Sequence, residues 1–254
     1  MKQAILVVSF GTSVADARSA IVAVEEALHK AEPDRTFFRA FTSPTIRRIL
    51  AERGELVPSL EEALNSLQGL GYTDVVVQPT HLLYGYEYDA IRAAVAPFVC
   101  RFVRLVLGIP LLASSADLIA LSTLLSNAYP AQSEQVVVLL GHGTEHFANM
   151  VYPALQTALH LAGRDDILIG TVEGWPGRKE ILIQLEKYRT GRILLAPLML
   201  VAGDHARNDM AGSEPDSWKS RFEAAGWTVT AQMQGLGERR EIQNLYVQHL
   251  KQSI

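Results

Sequence analysis

Short runs of Val, Ile, Leu and Phe recur along the chain, separated by longer stretches in which apolar residues return every three or four positions. The runs 4–10 (AILVVSF), 36–41 (TFFRAF), 75–83 (VVVQPTHLL) and 102–108 (FVRLVLG) predict four strands in the first half. The runs 135–141 (QVVVLLG), 167–173 (ILIGTVE), 192–200 (RILLAPLML) and 227–233 (WTVTAQM) predict four more in the second. These runs are near-continuously apolar and not alternating, as expected of parallel strands buried on both faces. Helices are expected near 14–31, 58–70, 86–99, 114–128, 147–163, 177–189, 214–225 and 239–252. In the first of them Ala17, Ile21, Val24 and Leu28 recur at helical spacing. Ser213 ahead of Pro215 and Gly226 behind mark the ends of another. Alternating strands and helices imply βα units with right-handed crossovers. The expected fold is α/β, with two similar lobes, residues 1–112 and 113–254, each a four-stranded parallel sheet flanked by helices, and an interlobe cleft.

A weak internal repeat supports two lobes. VVSFGTS (7–13) resembles VLLGHGTEH (138–146), and Pro79, Gly85 and Asp89 match Pro197, Gly203 and Asp209 at identical spacing. Glu87 then falls at the repeat position of His205.

Composition narrows the chemistry. Of 254 residues, 48% are hydrophobic, enough for a real core, which excludes a disordered chain. The net charge is −4 and no Lys/Arg block exists, so no nucleic-acid partner is expected. The single cysteine, Cys100, excludes intramolecular disulfides and cysteine-rich metal sites, and is read as a buried small apolar residue. The apolar run at the N-terminus is too short for a signal-peptide core, and no stretch is long enough to span a bilayer. A cytoplasmic protein without membrane contact is therefore expected. Oligomeric state stays open, a homo-oligomer included.

Open parallel sheets bind ligands beyond the carboxyl ends of their strands. The polar and aromatic residues there are Ser9, Phe10, Gly11 and Thr12 after the first strand and His81, Tyr84, Glu87 and Tyr88 at the third. The fifth gives His142, Thr144 and His146, the sixth Glu173 and Trp175, and the seventh Met199, Asp204 and His205. Each main candidate has an ordinary alternative. His142, uncrowded between two glycines, is functional or merely caps the next helix; His205, after a long buried strand, is functional or makes a loop hydrogen bond; Glu173 is functional, a helix cap or an ion-pair partner. His146 is a ligand, a support or purely structural, and His81 is a core histidine or a ligand contact. Asp204 and Asp209 are read as helix caps. His29, His160 and His249 lie in helical stretches and are read as solvated or capping. Two histidines and a carboxylate suit borderline divalent metals such as cobalt, iron or zinc.

SFGTS (9–13), RAFTS (39–43), GHGT (141–144), the glutamate of TVEGWP (171–176) and PLMLVAGDHARNDM (197–210) span almost the whole chain. In this order they resemble the anaerobic cobalt chelatases (sirohydrochlorin cobaltochelatases) of cobalamin biosynthesis, class II chelatases related to ferrochelatase. The resemblance implies insertion of Co²⁺ into sirohydrochlorin, or its precursor precorrin-2, without ATP and without an organic cofactor. It implies His142, Glu173 and His205 as metal-holding and catalytic residues. Ser9, Phe10, Gly11, Thr12, His81, Tyr84 and Trp175 are then expected to contact the tetrapyrrole. The sequence departs from the family pattern in EHFANM after GHGT and in the Trp-Pro after Glu173. The rival readings are a ferrochelatase acting on sirohydrochlorin or protoporphyrin, a non-catalytic tetrapyrrole- or metal-binding protein, and a metallohydrolase.

Overall fold

In the computed structural model, which describes residues 1–188 and 191–254, the apolar runs become two sets of parallel strands. The first unit opens with β1 (Gln3–Ser9), α1 (Arg18–Ala31), β2 (Thr36–Phe41), α2 (Pro44–Glu52) and α3 (Leu60–Gly69). It continues with β3 (Asp74–Pro79), α4 (Tyr86–Val95), a 3₁₀ segment at Ala96–Arg101 and β4 (Arg104–Leu107). The second comprises α5 (Ser115–Ala128), β5 (Gln135–Gly141), a 3₁₀ turn at Phe147–Met150, α6 (Val151–Leu161), β6 (Ile167–Thr171), α7 (Arg178–Leu185) and β7 (Arg192–Pro197). A wide helical turn at Ala206–Met210, α8 (Trp218–Ala224) and β8 (Thr228–Ala231) complete it. The last helix is α9 (Arg240–Ser253).

The strand orders are β2-β1-β3-β4 and β6-β5-β7-β8, and every pair is parallel. This is the expected architecture of two four-stranded parallel sheets flanked by helices. Burial explains the unbroken apolar runs: Ala4 to Val8 and Val136 to Leu140 are at most 2% exposed, covered on both faces.

The units are not two consecutive halves. Residues 1–113 and 237–254 form the first and residues 114–236 the second. The chain end, expected in the second lobe, returns to the first because α9 presents Ile242, Leu245, Tyr246 and Leu250 as one buried stripe. It packs on α1 and β3, and the Tyr246 hydroxyl donates to the Thr80 carbonyl at 2.7 Å. His249 lies on the same stripe and is buried, contrary to the solvated or capping role expected of it. Cys100, expected to be buried, is exposed.

Three other boundaries differ from expectation. The sequence pattern gave no sign of α2, whose only buried residue is Leu50; its start is set by Ser43, whose side chain accepts from the Ile46 N–H, and by Pro44. The third strand stops at Pro79. The apolar residues beyond it turn aside, and the His81 and Leu82 carbonyls accept from Leu111 and Leu112. The helix expected over 177–189 ends at Leu185, and position 189 lies outside the described residues. Among the described residues, no helix is long and apolar enough to cross a membrane.

The repeat is exact in register where it matters. Ser9 pairs with Phe41 and Gly141 with Thr171; Val8 pairs with Pro79 and Leu140 with Pro197. Counting onward, Phe10, Ser43 and Glu87 occupy in the first unit the places that His142, Glu173 and His205 occupy in the second.

Candidate functional site

The sheet ladder of the second unit runs on past the strands. Val172 N–H donates to the Gly141 carbonyl at 3.0 Å, and Glu173 N–H to the His142 carbonyl at 2.8 Å. Leu198 N–H donates to the Leu140 carbonyl at 2.8 Å. The ends of β5, β6 and β7 are thus held side by side, and the side chains just beyond them converge. Among the described residues, His142, Glu173 and His205 form a set whose three ligand atoms all lie within 4.8 Å of one another.

The two imidazoles meet edge to face, with Nε2 atoms 3.1 Å apart. That spacing suits two adjacent donors to one ion at metal–nitrogen bonds of about 2.1 Å. Each ring turns its other nitrogen to an acceptor: His142 Nδ1 lies 2.9 Å from the Gly143 carbonyl, and His205 Nδ1 lies 2.7 Å from Asp209 Oδ2. A carbonyl and a carboxylate only accept, so each Nδ1 is the donor in its contact, and the two Nε2 atoms are left facing one another with a proton or cation needed between their lone pairs. Glu173 Oε2 stands 3.8 Å from His142 Nδ1. The three side chains are half exposed, so an ion held here remains open to exchange, unlike one in a closed four-ligand site.

The sequence folds this way for local reasons. Gly143 has φ +83°, and a Cβ there would lie 2.5 Å from the Gly174 nitrogen. The His142 and Glu173 loops therefore touch backbone to backbone. Asn149, 6% exposed, ties them together. Its Oδ1 accepts from the Thr144 N–H at 3.1 Å, and its Nδ2 donates to the Trp175 carbonyl at 2.6 Å. The sequence reading missed Asn149, because a buried amide five residues after the GHGT turn carries no signal until its two partners are known. Gly143 N–H donates to the Tyr152 hydroxyl, and burial pushes that phenol's pKa up, so the hydroxyl keeps its proton. His205 stands on the turn before Ala206–Met210, whose Ala211 N–H reaches back to the Ala206 carbonyl. Wide turns of this kind are frequent at functional sites. Ala206 and Met210 anchor the turn in the second unit's core.

Other expected residues fall elsewhere. His146 accepts the Ala148 N–H at 3.0 Å and caps the Phe147–Met150 turn, a structural role. Trp175 is 53% exposed directly after the Glu173 loop. In the first unit, Phe10 and Tyr84 are exposed, and Tyr84 stands edge-on to Tyr88. Ser9 and Thr12 are buried with their hydroxyls engaged: Ser9 Oγ accepts from Thr80 Oγ1, and Thr12 Oγ1 accepts from the Val14 N–H. Gly11 has φ +95° and packs against Phe41. Glu87 accepts a hydrogen bond from the Thr42 hydroxyl. Both ring nitrogens of His81 are shut away from solvent without a hydrogen-bond partner.

The cobalt chelatase (CbiK) family model matches residues 3–254. The sirohydrochlorin cobaltochelatase of Salmonella typhimurium is 42% identical, over 100% of this chain and 97% of that protein. The sirohydrochlorin cobaltochelatase of Nitratidesulfovibrio vulgaris is 33% identical, over 100% of this chain and 91% of that one. Among solved structures, SirB from Bacillus subtilis with Fe³⁺ shares the fold with a TM-score of 0.67 at 18% identity, covering 100% of this chain and 96% of that one.

Two outcomes follow from this geometry. Asn149→Ala leaves the Thr144 N–H and the Trp175 carbonyl without their partner, and is expected to cost about 2 kcal/mol in urea unfolding; an unchanged midpoint and slope would contradict the tie. Burial lowers the His81 pKa from its ordinary 6.5 to about 4. The unfolded chain therefore takes up this proton first as pH falls. The contribution is whole above pH 6.5 and is lost on the way down to pH 4. Between pH 7 and pH 5, His81→Leu is expected to lose about 2 kcal/mol less stability than the parent, and equal losses in both would contradict the buried neutral ring.

Proposed function

The chain belongs to the cobalt chelatase (CbiK) family, and on that premise we propose that it inserts Co²⁺ into sirohydrochlorin with His142, Glu173 and His205 as the metal-handling set. The observation that carries the assignment is the convergence of those three donors from three neighbouring strand ends.

The reaction exchanges two pyrrolic N–H protons for one divalent ion, and no oxidation state changes. Two tasks must be divided: holding the ion and accepting protons. A single neutral imidazole has one free lone pair and does one or the other at a given moment. Two imidazoles and a carboxylate share the work. The Nε2 atoms of His142 and His205 present Co²⁺, while Glu173 offsets its charge and accepts one ring proton; the second goes to an imidazole Nε2 freed as the ion passes into the ring. The donors are nitrogen and oxygen with no thiolate, which suits a protein that must release its metal, since soft thiolates retain such ions. Half-exposed side chains favour release in the same way.

For contact with the macrocycle we assign Trp175 in the second unit, whose exposed indole directly follows the Glu173 loop. Phe10 and Tyr84 are the exposed aromatics at the first unit's own strand ends. The buried Ser9 and Thr12 and the partly buried His81 support the first unit's strand-end loops, and Gly11 allows the turn behind Phe10.

His142→Ala and His205→Ala are each expected to lower the rate of Co²⁺ insertion by about 10²-fold or more, followed as the change in sirohydrochlorin absorbance under anaerobic conditions. Parent rates in both variants would overturn the assignment.

A further inference from the structure

We infer that Asp209 is a positioning residue for metal capture: it locks the His205 ring and makes it the stronger of the two imidazole donors. The inference rests on the reading of His205 as a metal ligand and goes beyond it. The sequence pattern alone suggests that Asp209 is a helix cap, but its carboxylate is committed to a ring nitrogen. Oδ2 lies 2.7 Å from His205 Nδ1, at the short end of the range for charge-assisted N–H···O bonds.

The fold supplies this contact by construction. His205 and Asp209 are four residues apart across the wide turn, and both are partly exposed. Ala206 and Met210, the residues that follow each of them, are fully buried. The turn is therefore pinned from below while the imidazole and the carboxylate stand together above it. Rotation of the ring about Cβ–Cγ would break the hydrogen bond and swing Nε2 away from its place 3.1 Å from His142 Nε2.

The two histidines are held differently. His142 Nδ1 lies 2.9 Å from the neutral Gly143 carbonyl, with Glu173 Oε2 beyond hydrogen-bond reach at 3.8 Å, whereas His205 Nδ1 lies 2.7 Å from a carboxylate. A carboxylate behind an imidazole fixes its tautomer and raises its basicity as a ligand; loss of such a partner typically weakens metal binding about 10- to 100-fold. The pair is thus asymmetric, with His205 the tighter anchor and His142 the more easily released donor. That asymmetry gives a transferring site a sequence of events: capture on both rings, then departure from His142 first.

The test uses the whole metal-free protein at pH 8. Long-range ¹H–¹⁵N correlation spectra are expected to show His205 with its proton on Nδ1; an Nε2–H tautomer would overturn the proposal whatever the variants do. In Co²⁺ titrations read by visible ligand-field absorption, Asp209→Ala is expected to raise the dissociation constant about 10- to 100-fold and to shift the bands, with its melting temperature held within a few degrees. Asp209→Asn, whose neutral amide oxygen still accepts the Nδ1 proton, is expected to restore the ring's orientation without the carboxylate's added basicity and so to recover only part of the loss. Parent affinity and parent bands in a folded Asp209→Ala protein would overturn the proposal. His205→Ala, run alongside, separates the two levels. If it leaves Co²⁺ affinity unchanged, the ligand assignment itself fails; if it weakens binding and Asp209→Ala does not, only the positioning role fails.

Discussion

The candidate centre depends on a short extension of a backbone ladder. The hydrogen bonds of β5 with β6 and β7 do not stop at the strand ends but continue through Val172, Glu173 and Leu198. Because parallel strands are held at fixed spacing, residues just past their ends are held at fixed spacing too. That constraint holds His142 and Glu173 side by side, and the wide turn beyond β7, pinned by Ala206 and Met210, brings His205 to them. Everything nearer the chemistry refines it: Gly143 lets two loops touch, Asn149 ties them, and Asp209 sets one ring.

The first unit isolates what the chemistry requires. It has the same strand order and register, and Gly11 repeats the positive φ of Gly143. At the three corresponding places it carries Phe10, Ser43 and Glu87, which do not form a metal-type cluster among the described residues. One scaffold therefore appears twice, and the donor set once. The fold supplies the convergence, and the side chains decide whether a metal can use it.

Much of this was legible before the structure. Unbroken apolar runs announced parallel strands, and strand ends pointed to His142, Glu173 and His205, because a carboxylate or imidazole ending a buried strand needs a reason to be there. What stayed hidden depends on partners that are distant in sequence or on weak local signals. The reach of α9 back to the first unit follows from its buried stripe finding α1 and β3, and no periodicity names the surface that receives a stripe. The helix α2 buries too little to show a pattern. His81 read equally as a core residue or a ligand contact, and only the enclosure of both ring nitrogens distinguishes them. Asp209 read as a cap because the wide turn that aims its carboxylate at His205 leaves no mark in the sequence pattern.

In the proposed reaction one divalent ion is held jointly by His142, Glu173 and His205. The most direct measurement is anomalous diffraction at the cobalt edge from crystals of the protein equilibrated with stoichiometric Co²⁺. The prediction is one dominant peak within bonding distance of His142 Nε2, His205 Nε2 and a Glu173 carboxylate oxygen. A dominant peak elsewhere, with these three side chains free of metal, would contradict it.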